Sequence, residues 1–106
     1  MASGLSDLGR FAEPALLILV ALAKGPLHGY AIMTEVESTS GTPLGPGTLY
    51  AALARLETRG LIEALPPEGR RRPYRLTGVG ATTLEEQLRE LERFARDGLG
   101  RLARQP

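Results

Sequence analysis

Apolar residues recur at helical spacing over much of this chain. Leu49, Leu53 and Leu56 fall at i, i+4 and i+7, with Ala52 on the same stripe, which predicts an amphipathic helix with one buried face. Gly45 suits its N-cap and Pro46 its first turn, where a missing N–H costs nothing. Gly60 follows Arg59 as a stop. Upstream, Pro14 to Ala23 is apolar throughout, the mark of a helix buried on all sides. Lys24-Gly25-Pro26 breaks it, and Leu27-His28-Gly29-Tyr30 opens the next helix. That helix turns Ile32 and Val36 inward and ends near Ser38 to Gly41. Downstream, Leu84, Leu88, Leu91 and Ala95 keep a coiled-coil-like spacing. It extends raggedly to Leu99 and Leu102, is interrupted by Gly98 and Gly100, and is capped by Thr77.

Between the third and last helices the period changes. Leu61 to Leu65 reads as a short strand, and Pro66-Pro67-Glu68-Gly69 is turn chemistry. Tyr74 and Leu76 then alternate with Pro73 and Arg75 as a return strand with one face covered. Pro73 has no N–H, so this strand is expected at an edge or with imperfect pairing at that point. The predicted fold is mainly α with a small β-hairpin. It is a winged helix-turn-helix over residues 13–78 with a C-terminal dimerisation helix over 79–106 and a flexible N-terminal lead-in over 1–12.

Charge sharpens the picture through its distribution. Thirteen Lys and Arg against 12 Asp and Glu give a net charge of only +1. Yet Pro43 to Gly78 holds six arginines against Glu57, Glu63 and Glu68, whereas the segment before it is net acidic. A positive excess confined to the helix and hairpin is the footprint of a nucleic-acid surface. With 106 residues the chain is one domain. No cysteine excludes a disulfide framework and thiolate metal sites, and a single histidine leaves no catalytic Ser/His/Asp set. No metal, no cofactor and no enzymatic activity are expected. The apolar stretch is too short for a bilayer, which takes about 20 residues. Ala21-Leu22-Ala23 resembles a leader cleavage site, but Asp7 and Glu13 precede it with only Arg10, against a secretory signal. A cytoplasmic protein is expected.

The helix from Pro46 shows Gly47, Thr48, Ala51, Ala54, Arg55 and Thr58 on its outer face. Small residues there let it sink into a major groove about 12 Å wide. Thr48 and Arg55 are placed to touch base edges or phosphates, and Tyr50, at the border of the buried stripe, to offer its hydroxyl to a phosphate. Arg70, Arg71 and Arg72 at the hairpin tip suit phosphates or a narrow minor groove. His28 reads either as a capping histidine or as a phosphate contact from the first helix of the motif. Tyr30 reads as a core ring with a wet edge. For the last helix the choice is packing on its own domain or a subunit interface. The seam favours the interface, formed by Leu84, Leu88, Leu91, Phe94 and Ala95 with Leu16 and Leu19 of the first helix. Phe94 and Phe11 are the only phenylalanines. They read as interface packing or, alternatively, as the lining of a pocket between subunits.

Leu27-His28-Gly29-Tyr30, Gly47-Thr48-Leu49-Tyr50 with Leu53, Leu56-Glu57 and Gly60-Leu61, and Arg70-Arg71-Arg72 before Tyr74-Arg75-Leu76-Thr77 and Gly80 together resemble the PadR family of bacterial transcriptional regulators. The likeness runs from about Ala15 to Leu91. It implies a winged-helix homodimer that binds double-stranded DNA, represses promoters and is often released by a small, frequently aromatic, effector. Ala51 stands where the family often has proline, Pro73 precedes Tyr74 where two aromatics often adjoin, and the tryptophan some members stack on a flat ligand is missing. A winged-helix protein-interaction module that never touches DNA is the alternative, and it should lack a localised positive patch.

Overall fold

The computed structural model describes residues 13–105; the lead-in over 1–12, Phe11 included, lies outside them. Helix α1 spans Pro14–Ala21 and tightens into a 3₁₀ turn over Leu22–Lys24. Strand β1 is Leu27–His28, α2 is Gly29–Ser40 and α3 is Pro46–Thr58. Strands β2, Ile62–Ala64, and β3, Pro73–Leu76, form the wing, and α4 runs Gly78–Ala103.

Local chemistry explains the helix limits. Gly45 stands at the N-cap of α3 with Pro46 in the first turn, and Gly60 takes φ +74° where the chain turns away. Gly41 ends α2 in the left-handed region in the same way. Thr77 caps α4 by accepting the Gly80 N–H at 3.0 Å. The hydroxyl also donates to Gly60 O at 2.6 Å, and Thr77 N donates to Leu61 O at 3.1 Å. One threonine thus ties the start of α4 to the end of α3. Gly80 completes the joint: a β-carbon there would run into the backbone carbonyl of Leu61. The two glycines that weaken the first turn of α4 by propensity include one that the packing requires.

The core lies where α1, α2 and α3 cross. Ile18, Leu22, Ile32, Val36, Leu49 and Leu53 are all at most 2% exposed, and Ile62 closes the layer from the sheet. Burial of each such side chain stabilises the fold by roughly 1.5–3 kcal/mol.

Several expectations need correction. Leu27-His28 is not helical: it is a strand paired with β3, Leu27 opposite Tyr74 and His28 opposite Pro73. The sheet therefore has three antiparallel strands in the order β1-β3-β2, and the Pro73 strand is central rather than an edge. Pro73 fits because it is the first residue of β3, where a missing N–H leaves the ladder intact, and its carbonyl accepts from Leu65 N at 2.8 Å. Helix α4 passes through Gly98 and Gly100 unbroken. Leu19 and Leu84, expected at a subunit interface, are 4% and 5% exposed within the core of their own chain. Leu16 and Leu91 are half-buried, while Leu88, Phe94 and Ala95 are exposed.

Candidate nucleic-acid interface

The outer face of α3 is as free as its spacing requires. Gly47, Thr48, Ala51, Ala54, Arg55 and Thr58 are all exposed, while Leu49, Ala52, Leu53 and Leu56 are buried. Arg55 is exposed and, among the described residues, forms no ion pair or side-chain hydrogen bond.

The three wing arginines are not equivalent. The wing narrows to a tight turn in which Glu68 and Arg71 exchange backbone hydrogen bonds of 2.7 and 3.0 Å. Gly69 supplies the positive φ of +64° at the first central position, as a two-residue hairpin turn of the primed kind demands. Arg70 is the second central residue and stands exposed at the tip. Arg72 folds back and donates to Leu65 O at 3.0 Å, bracing the base of the wing. Arg71 reaches the other way and places Nη1 3.4 Å from His28 Nε2. A fourth arginine, Arg75, is paired with Glu63 at 2.6 Å across β2 and β3, so its charge is locally neutralised.

His28 resolves toward capping. It is the N-cap of α2, and Nδ1 accepts the Ala31 N–H at a long 3.4 Å. Its other nitrogen faces Arg71. The ring thus joins the first turn of α2 to the wing. One residue on, Gly29 meets the α3 tyrosine: a β-carbon at Gly29 would lie 2.5 Å from Tyr50 Oη. The chain of neighbours Arg71, His28, Gly29 and Tyr50 brings the wing, the start of α2 and the start of α3 to one place.

Tyr74 of β3 borders this junction. Its phenol is pushed above its ordinary value by burial first, then by the negative charge of Glu57 and by Tyr50, with Arg72 acting in the opposite sense. Tyr30 departs from its expected core position: it is 72% exposed on the first turn of α2. The apolar neighbours at Ile32 and Val36 take the inward face of that helix, and a residue two positions before Ile32 points away from it. Gly29 was visible in the sequence only as part of a motif; its role needs the fold, because the ring that fills its empty side comes from 21 positions later in the chain.

An outward small-residue helix beside an arginine-tipped wing, on a three-helix core, defines a winged helix-turn-helix regulator. Residues 18–86 match the transcriptional regulator PadR-like family, and the chain belongs to that family. It is 44% identical over 92 residues to transcriptional regulator Rv3488 of Mycobacterium tuberculosis, covering 84% of this chain and 85% of that protein. It is 48% identical over 86 residues to an uncharacterized 37.1 kDa protein in transposon TN4556 of Streptomyces fradiae. That match takes in 81% of this chain but only 25% of the longer protein. Among solved structures, a PadR family transcription regulator from Clostridium difficile superposes with a TM-score of 0.74 at 30% identity, over 87% of this chain and 99% of that one. Rv3488 and the Clostridium difficile protein are regulators of transcription rather than enzymes. Among the described residues, no helix is long and apolar enough to cross a membrane.

Proposed function

We propose that the protein is a homodimeric repressor that reads a near-palindromic promoter site through α3 and grips the flanking backbone with its wing. The observation that carries this reading is the junction of Arg71, His28 and the start of α3, which gathers the free face of α3 and the basic wing tip into one surface. Thr48 and Arg55 take the base edges. Arg70 and Arg71 take phosphates or the adjacent minor groove, and Arg72 holds the wing in shape for them. His28 contributes from the N-cap of α2, close to where that helix crosses the DNA backbone.

Dimerisation rests on α4. Only its first turns pack on the winged domain, and Phe94, Leu99 and Leu102 are 78%, 68% and 69% exposed on the part beyond. A second copy supplies the cover that such a face lacks. Two α3 helices related by a two-fold axis then enter major grooves about 10 bp apart or a multiple of that. An effector-sized groove of about 450 Å³ opens between Ala23, Leu76, Leu84 and Leu88 where α4 leaves the domain. Its lining is partly apolar, with Glu85, Arg89 and Glu92 beside the leucines, and its size suits a small apolar or aromatic molecule.

Fluorescence anisotropy with duplex DNA over a range of salt tests the central reading. The protein should bind random duplex weakly and a selected duplex tightly, with affinity falling steeply as salt rises. No binding to any duplex at low salt overturns it in favour of a protein-interaction module.

A further inference from the structure

We propose that Tyr50 is a positioning residue: its ring, seated on the bare backbone of Gly29, fixes the roll of the recognition helix against α2. The inference rests on α3 being the element that reads DNA. The leucine stripe holds α3 on one side, and the hydroxyl end of Tyr50 resting on Gly29 adds a second point at which its roll is set. Tyr50 follows the fully buried Leu49; it is itself 53% exposed, and its hydroxyl end turns toward Gly29 of α2. A β-carbon at Gly29 would meet Oη at 2.5 Å, Cζ at 3.2 Å and the Leu49 Cδ2 at 3.5 Å. Gly29 is buried, has no positive φ and begins a helix. Backbone freedom therefore does not require glycine there; the tip of the Tyr50 side chain occupies the space that a β-carbon would take, and an added methyl would push that tip aside. Rolling α3 would carry Thr48 and Arg55 away from a groove that the wing holds in fixed register.

The test uses four proteins: wild type, Gly29→Ala, Tyr50→Phe and the double variant. Each is titrated by anisotropy against a duplex selected from a random library by the wild-type protein, and against random duplex. Gly29→Ala should displace the ring and lose about tenfold in preference for the selected duplex, with random binding little changed. Tyr50→Phe keeps the ring on its seat and should hold that preference within about twofold, and in the double variant it removes the closest clash and should recover most of it. Should Gly29→Ala fail to fold, Tyr50→Ala, which empties the seat, should give the same loss of preference. No recovery in the double variant overturns the proposal. Equal weakening of both duplexes by Tyr50→Phe also overturns it, since the hydroxyl would then be a phosphate contact. If the wild type selects no sequence, the DNA reading fails on its own account. The thermal midpoints of the four proteins then decide the seat: a double variant nearer wild type than Gly29→Ala supports it, and additive shifts overturn it.

Discussion

Helices α3 and α4 share a leucine rhythm and meet opposite fates. In α3 the stripe of Leu49, Leu53 and Leu56 is at most 4% exposed. In α4 the same rhythm is buried at Leu84, 42% exposed at Leu88, half-buried at Leu91 and 68% exposed at Leu99. Spacing therefore states that a face is made to be covered, and says nothing of what covers it. For α3 the cover is α1 and α2. For α4 it runs out where the helix leaves the domain, in a molecule 60 Å long and 20 Å thin.

The joint between the two helices should be the most sensitive place. Gly80→Ala sets a methyl against the Leu61 carbonyl, where only backbone could yield, and should cost about 3 kcal/mol or more in thermal or denaturant unfolding. An effect below about 1 kcal/mol would mean that the joint is looser than drawn. Leu53→Ala, at 2% exposure in the core, should cost roughly 2–5 kcal/mol. Leu99→Ala on α4 sharpens the contrast. It should barely change unfolding of the winged domain but should weaken self-association in sedimentation experiments, and a monomeric wild type would overturn the dimer.

The wing offers a finer contrast between neighbouring arginines. Arg70→Ala should lower the salt slope of DNA binding by about 1 without changing stability. Arg72→Ala should cost about 1 kcal/mol of stability through loss of its bond to Leu65 O. Equal effects from the two would erase the distinction. The smallest expected effect is at Tyr74. Its raised pKa means that the folded state resists ionisation more than the unfolded chain does. Its contribution is therefore complete below the ordinary tyrosine value and is lost as pH rises toward the folded one. Tyr74→Phe should flatten the alkaline limb of the stability curve.

Much of this was legible from residues alone because it is local. Gly45-Pro46 and Thr77 fix helix starts through groups within a few positions, and the outer face of α3 follows from its inner one. Strand β1 was not legible, since two residues have no periodicity and owe their conformation to β3. That pairing also moved Pro73 from an expected edge to the middle of the sheet. The fates of Arg70, Arg71 and Arg72 were hidden for a related reason. A tight turn sends adjacent identical side chains in different directions, one to solvent, one to His28 and one to the carbonyl of Leu65. Aromatic character alone points Tyr30 inward, whereas its angular position on α2 decides its exposure.

The weld at Thr77 and Gly80 has a mechanical consequence. Peptide planes rather than pliable side chains meet there, so the long shaft and the reading head swing as a single lever. In the proposed dimer the crossing angle of two such shafts would set how far apart the heads stand, and a molecule wedged at the crossing would be felt at the DNA.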